Sequence, residues 1–121
     1  MTNNDKTKIA VIYSRSATDD RKNENITRQH QECDGYARIH GYEILASFSD
    51  VPCSGMKFEN RNGWLDMINF LESKPKGCTV LMDNMARVAR DYELCDKLMY
   101  QLKMAGAEII FTQDRDFIAV I

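Results

Sequence analysis

The stretch that decides the fold runs from Ile9 to Asp20 and reads IAVIYSRSATDD. Its opening apolar run is too short for a helix and rich in β-branched side chains, so it predicts a buried strand over 8–14. An arginine between two serines, Ser14-Arg15-Ser16, follows the apolar run and leads into a polar loop. An arginine at the end of a core strand has two explanations. Either the strand simply reaches the protein surface there, or the arginine belongs to a site for an anion such as phosphate.

The rest of the chain alternates helical and extended patterns. Three segments carry apolar residues at helical spacing, and Gly41 and Gly106 follow the first and the third as stop signals. The predicted helical faces are Ile26, Cys33, Ala37 and His40; Trp64, Met67, Ile68 and Leu71; and Leu94, Leu98, Leu102 and Ala105. The further predicted strands are 42–48, with Ile44, Ala46 and Phe48 on one side, then 78–84 and 108–112.

This alternation predicts an α/β fold in one domain of 121 residues. Right-handed βαβ units give a three-layer sandwich with a mostly parallel sheet of four to five strands, covered by helices on both faces. In such sheets ligands bind outside the carboxyl ends of the strands. Polar clusters follow the first three strands, at 14–20, 49–55 and 83–91, and therefore meet at that edge.

Composition narrows the class of protein. The formal net charge is −2, and the sequence has neither a long apolar stretch nor an apolar leader after its polar start. The four cysteines are scattered, without the paired spacing of a zinc site. We therefore expect a cytoplasmic protein with reduced thiols, without a membrane segment, a metal or a cofactor.

Three arginines, Arg15, Arg87 and Arg90, fall at the same edge of the predicted sheet. Arginine matches phosphate oxygens with a planar pair of N–H donors. Arg87 and Arg90 are neighbours on a helical turn, where two like charges are unfavourable without an anion between them. The alternative is that the arginines are solvated beside acidic neighbours such as Asp83.

Five fragments in order resemble the catalytic domain of serine recombinases, the resolvase and invertase family. The family's opening Tyr-x-Arg-Val-Ser is similar to YSRSA from Tyr13, and its Ile-x-x-Gln to ITRQ ending at Gln29. A Ser-Gly pair is matched at Ser54-Gly55, an Arg-Pro-Gly helix opening by RNG from Arg61, and Asp-Arg-Leu-x-Arg by ARVAR ending at Arg90. Together these fragments span nearly the whole chain.

The resemblance implies site-specific DNA recombination. A serine hydroxyl attacks a DNA phosphodiester and forms a 5′-phosphoserine link, without a metal, because arginines stabilise the phosphoryl charge. By resemblance the catalytic residues are Ser16, Arg15, Arg87 and Arg90, and the residues that support phosphate or DNA binding are Gln29, Arg61 and Ser54. The expected partners are DNA and, in a full-length protein, further copies in a dimer or tetramer.

The chain departs from the family at two positions. Without a gap, the family's nucleophilic serine falls on Ala17, and Ser16 stands where the family keeps an apolar residue. A shift of one residue in an extended segment turns the side chain to the opposite face, so Ser16 can serve only if the strand end is bulged or irregular. Ala86 replaces the aspartate before the arginine. Two interpretations stay open: Ser16 (less favoured, Thr18) as nucleophile, or a recombinase-like DNA-binding or regulatory domain with an impaired active site.

Other α/β classes fit less well. A phosphoacceptor signalling domain requires paired acids directly after the first strand, and a mononucleotide-binding domain requires glycines in its first loop.

We expect residues 1–121 to be the catalytic domain of a longer protein, encoded by a bacterium, phage or mobile element, whose interface helix and DNA-reading module lie elsewhere. Such a domain alone is expected to bind DNA only weakly.

Overall fold

The structure is a computed structural model that describes residues 8–16, 24–50, 62–73, 77–88 and 92–113. The strands in these ranges are β1 (Lys8–Arg15), β2 (Tyr42–Asp50), β3 (Thr79–Met82) and β4 (Glu108–Phe111). The helices are α1 (Glu24–His40), α2 (Asn62–Ser73) and α3 (Tyr92–Met104), and a short 3₁₀ turn spans Met85–Arg87. None of the helices in the described part of the chain is long and apolar enough to cross a membrane.

The four described strands form one parallel sheet in the order β2-β1-β3-β4, and the predicted α/β fold is confirmed. The crossover through α1 carries the chain from β1 to one side, and the crossover through α2 carries it back past β1 to β3. The sheet therefore reverses its winding between β1 and β3. In open α/β sheets that reversal leaves a crevice at the carboxyl ends of the two strands.

The sheet separates two apolar layers. Alternate residues of β1 face opposite sides, so Ala10 and Ile12 pack with α1 whereas Val11 and Tyr13 pack with α2 and α3. The layer under α1 is small and the opposite layer is large. The helical residues of the large layer include those that the spacing predicted for α2, which are Trp64, Met67, Ile68 and Leu71. They also include Cys95, Leu98 and Leu102 of α3.

Two predicted faces are wrong in detail. Ile44 packs on the α1 side but Ala46 and Phe48 pack on the other, because the register between β1 and β2 shifts at Leu45, which has no partner on β1. One extra residue reverses the alternation that follows it. His40 is exposed at the end of α1, where its ring stacks on Tyr36 with centroids 4.1 Å apart, and so is not part of the buried face.

Asp50, the last residue of β2, fixes the start of α2. Its carboxylate accepts hydrogen bonds from the backbone N–H groups of Gly63 (2.8 Å) and Trp64 (2.9 Å), which no helical carbonyl can satisfy. The Tyr13 hydroxyl donates to the same carboxylate at 2.6 Å. The Tyr13 ring also meets the Trp64 ring edge to face, with centroids 5.2 Å apart. One buried carboxylate thus joins β1, β2 and α2.

Gly63 allows this close approach. A Cβ atom built at Gly63 lies 2.2 Å from the carbonyl oxygen of Ser49 and 2.8 Å from its carbonyl carbon, both of them backbone atoms that have little freedom to move. Gly35, in the middle of α1, has no atom within 4 Å of the corresponding position. The two glycines therefore make a matched pair, one required by packing and one not.

We expect Gly63→Ala to lower the free energy of unfolding by about 2 kcal/mol or more, because α2 must move away from β2. Gly35→Ala should raise it by roughly 0.5–1 kcal/mol, because alanine is the better helix former. Urea unfolding followed by circular dichroism measures both. Equal stability of the two variants would contradict the packing role of Gly63.

Candidate active site

Arg15 and Asp83 mark the point where the sheet reverses its winding. Arg15 ends β1, and Asp83 directly follows β3, the neighbouring parallel strand. The carboxyl ends of two adjacent strands, rather than any local motif, therefore bring these distant parts of the chain together. The predicted meeting of Arg15 and Arg87 at this edge is confirmed by hydrogen bonds between the two residues.

The side chain of each arginine donates a hydrogen bond to the backbone of the other. The Nε of Arg15 donates to the carbonyl oxygen of Arg87 at 3.1 Å, and the Nη1 of Arg87 donates to the carbonyl oxygen of Arg15 at 3.1 Å. The Arg15 guanidinium is thereby bonded to the 3₁₀ turn, and the Arg87 guanidinium to the end of β1. These two hydrogen bonds, both from charged donors, connect the end of β1 with the 3₁₀ turn.

Asp83 neutralises Arg87. The Nε of Arg87 donates to Oδ1 of Asp83 at 2.7 Å and its Nη2 donates to Oδ2 at 3.2 Å, a two-pronged pair across one turn of chain. The side chains are 16% and 5% exposed, respectively. Arg87 is therefore not a solvated arginine, and the anion beside it in this structure is a carboxylate of the same chain.

Gln29 acts on Arg15 through the backbone. Its Oε1 accepts from the Arg15 N–H at 3.0 Å, and its Nε2 donates to the Arg15 carbonyl at 3.0 Å and to Asn25 Oδ1 at 3.1 Å. Gln29 is fully buried on α1. The Gln29 amide thus bonds the backbone N–H and C=O of Arg15, as a neighbouring strand would. These contacts make Gln29 a positioning residue for Arg15.

Ser16 lies just beyond β1 and is 0% exposed. Its N–H donates to the Asp50 carbonyl oxygen at 3.1 Å, and pairing with β2 is regular as far as Arg15 opposite Asp50. The bulge of this strand pair lies at Leu45, away from Ser16. A hydroxyl in this position must become accessible before it can attack a phosphate.

The remaining predicted site residues lie outside the described residues. These are Arg90, Arg61 and Ser54, together with Ala17 and Thr18 of the first loop. Their parts in a site stay predictions.

Sequence reasoning missed Asp50 as an organising residue and assigned Asp83 no structural part. Asp50 caps a helix that begins twelve residues later, so no local capping pattern reveals it. Asp83 lies four residues before Arg87, which is the spacing of an ion pair across one helical turn and a signal in the sequence for their pairing.

The family match decides the identity of the domain. The model of the resolvase N-terminal domain matches residues 10–119. This chain belongs to the resolvase N-terminal domain family. No curated protein matches it.

Solved structures share the fold of this resolvase domain at low sequence identity. A resolvase family site-specific recombinase from Streptococcus pneumoniae aligns with a TM-score of 0.76 and 22% identity, covering 88% of this chain and 73% of that one. The N-terminal catalytic domain of TP901-1 integrase aligns at 0.72 and 23%, covering 88% and 78%. The C-terminal catalytic domain of ISC1926 TnpA, an IS607-like serine recombinase, aligns at 0.68 and 21%, covering 93% and 79%.

Cys33 lies buried on α1 on the same face of the sheet as Ala10 and Ile12. The pKa of its thiol is raised from the ordinary 9.0 to about 12, chiefly by burial and to a smaller extent by the negative charges of Asp83 and Glu32, while a hydrogen bond with Thr112 acts in the opposite direction. The thiol of this resolvase domain is therefore protonated at neutral pH.

This pKa predicts a loss of stability in alkali. Because the folded state holds the neutral thiol, its contribution is complete below pH 9.0 and is lost as the pH rises toward about 12. The slope approaches about 1.4 kcal/mol per pH unit. Urea unfolding of wild type and Cys33→Ala near neutral and near the top of this range measures it. The variant should lose less stability than wild type between the two pH values, and equal losses would contradict the assignment.

Proposed function

We propose that this chain is the catalytic domain of a serine site-specific recombinase. A serine hydroxyl loses its proton as its oxygen attacks a DNA phosphorus and forms a 5′-phosphoserine ester. The phosphorus–O3′ bond breaks, and the 3′ oxygen takes up a proton, so the step is balanced. Rejoining reverses these steps, so the energy of the phosphodiester is retained in the ester. The reaction needs positive charge at the phosphoryl oxygens while the transferred group is in transit.

The observation that carries the proposal is the pairing of Arg15 and Arg87 at the sheet's crevice. The guanidinium of each donates to the backbone carbonyl of the other at 3.1 Å, so both groups are oriented before any phosphate arrives. Donors that are fixed in advance cost no reorganisation during the reaction. Family membership supports the same reaction, and the three similar structures are named as recombinases or an integrase.

In this proposal Arg15 and Arg87 contact the scissile phosphate, together with Arg90. Asp83 orients Arg87, and Gln29 orients Arg15 through its peptide group. Ser16 is the nucleophile, and binding of DNA must expose its hydroxyl. Arg61 and Ser54 complete the binding of the DNA backbone.

DNA and further copies of the protein are the proposed partners. Recombination exchanges two duplexes, which requires four cleaving subunits. We propose that the chain works within a longer protein that supplies subunit contacts and sequence reading.

A second candidate is a recombinase-type domain that binds DNA without cutting it. Two observations favour it: Ser16 is 0% exposed, and Arg87 already has a carboxylate partner in Asp83. In that case the arginines retain phosphate binding, and no covalent link forms.

A nicked suicide substrate distinguishes the two. Incubated with the full-length protein, it should trap a protein–DNA band that survives denaturant and is lost in Ser16→Ala. Tryptic digestion cleaves after Arg15 and after Arg21, so the peptide SATDDR should carry the nucleotide, and fragmentation of that peptide should locate it on Ser16 rather than Thr18.

The location of the adduct decides between the outcomes. An adduct that persists in Ser16→Ala places the nucleophile elsewhere. A wild-type protein that binds the substrate but never forms the adduct supports the non-cleaving candidate.

A further inference from the structure

Gln113 lies just beyond the end of β4 and connects three parts of the fold. Its backbone N–H donates to the carbonyl oxygen of Asp83, the residue that follows β3, at 2.9 Å. Its side-chain Oε1 accepts from Nδ2 of Asn84 at 3.2 Å, and its Nε2 donates to Oε1 of Glu32 on α1 at 3.3 Å. One residue thus joins the ends of β3 and β4 to α1.

The two residues that Gln113 bonds beyond β3 are those that hold Arg87. Oδ1 of Asp83 accepts from the Arg87 Nε at 2.7 Å and from the backbone N–H of Asn84 at 2.7 Å. The carbonyl oxygen of Asn84 accepts from the Arg87 N–H at 3.1 Å and closes the 3₁₀ turn. Gln113 therefore acts on both the backbone and the guanidinium of Arg87, through Asp83 and Asn84.

Helix α1 supports both arginines of the site. Gln29 bonds the backbone N–H and C=O of Arg15, and Glu32 bonds the side chain of Gln113. Gln29 and Glu32 are separated by one helical turn, so they lie on one side of α1. The same helix thereby relates the end of β1, which carries Arg15, to the 3₁₀ turn that carries Arg87.

We propose that Gln113 is a positioning residue for Arg87 in strand cleavage, and that Glu32 orients the Gln113 amide. The inference rests on the proposed function, in which Arg87 contacts the scissile phosphate. A guanidinium that stabilises a transition state acts best when it is fixed in advance, because rearranging it during the reaction raises the barrier. The side-chain bonds of Gln113 are exposed to solvent, so the expected effect is that of one ordinary hydrogen bond, about two- to tenfold.

The test is the rate at which the Arg87 Nε–H exchanges with water, measured by NMR on the chain without DNA. Gln113→Ala should raise this rate about two- to tenfold, because the 3₁₀ turn opens more often. Gln31→Ala, at an exposed position of α1, is the matched control and should leave the rate unchanged. The Nε1–H of Trp64, which donates to Gln101 at 2.9 Å, should exchange at its wild-type rate in both variants. A general loss of stability would raise the rates at Trp64 and Arg87 together.

Variants of Glu32 test whether it acts through Gln113. Glu32→Ala should raise the exchange rate of the Arg87 Nε–H, and adding Gln113→Ala should raise it no further than Gln113→Ala alone. Glu32→Gln keeps an oxygen that accepts from the Gln113 amide, so it should behave as wild type. A larger rise in the double variant would contradict action through Gln113. An unchanged Arg87 rate in Gln113→Ala would overturn the proposal.

Adduct formation by the full-length protein separates this inference from the proposed function. At saturating nicked substrate, Gln113→Ala should slow formation of the covalent band about two- to tenfold, and should change the dissociation constant of the substrate less. An unchanged rate would overturn the positioning role even if exchange at Arg87 rises. If wild type forms no adduct while Gln113→Ala still raises exchange at Arg87, the proposed reaction fails and the link from Gln113 to Arg87 stands.

Discussion

The ion pair of Arg87 with Asp83 is the interaction on which the arrangement of the site depends. It holds a guanidinium that is mostly buried at the end of β3, and the same guanidinium reaches the carbonyl of Arg15 at the end of β1. Removing the Asp83 carboxylate would leave the Arg87 cation poorly solvated at the junction of two strands. An unpaired buried charge lowers the free energy of unfolding by more than the ion pair contributes to it. The pair therefore fixes the position of Arg87 and partly neutralises its charge.

Most of the fold was predictable from the sequence, because its apolar residues either recur at helical spacing or form the short runs that are typical of strands. Lys8 to Ser14 is a short apolar run rich in β-branched side chains, which favours a strand, and the face of Trp64 to Leu71 has the spacing of a helix. The bulge at Leu45 was not predictable, since Leu45 fits a regular alternation and only pairing with β1 reveals it as the extra residue. The cap of α2 by Asp50 was hidden for a related reason: its partners are distant in sequence.

The site was predictable in part. The positions of Arg15, Arg87 and Gln29 followed from motif order and from the edge at which parallel strands end. The role of Gln29 did not follow, because a glutamine that bonds a backbone N–H and C=O gives no pattern in its own neighbourhood. The burial of Ser16 also depends on tertiary packing. It shows that a sequence can place a hydroxyl near a site without establishing that the hydroxyl is accessible.

Side-chain NMR of the arginine Nε–H groups during titration with a short DNA duplex tests the central claim most directly. The claim is that Arg15 and Arg87 together form the phosphate site. Their Nε–H signals should shift with the duplex, whereas that of Arg38, which is exposed at the other end of α1 and paired with Asp34, should not. A shift of Arg38 with no change at Arg15 and Arg87 would contradict the account.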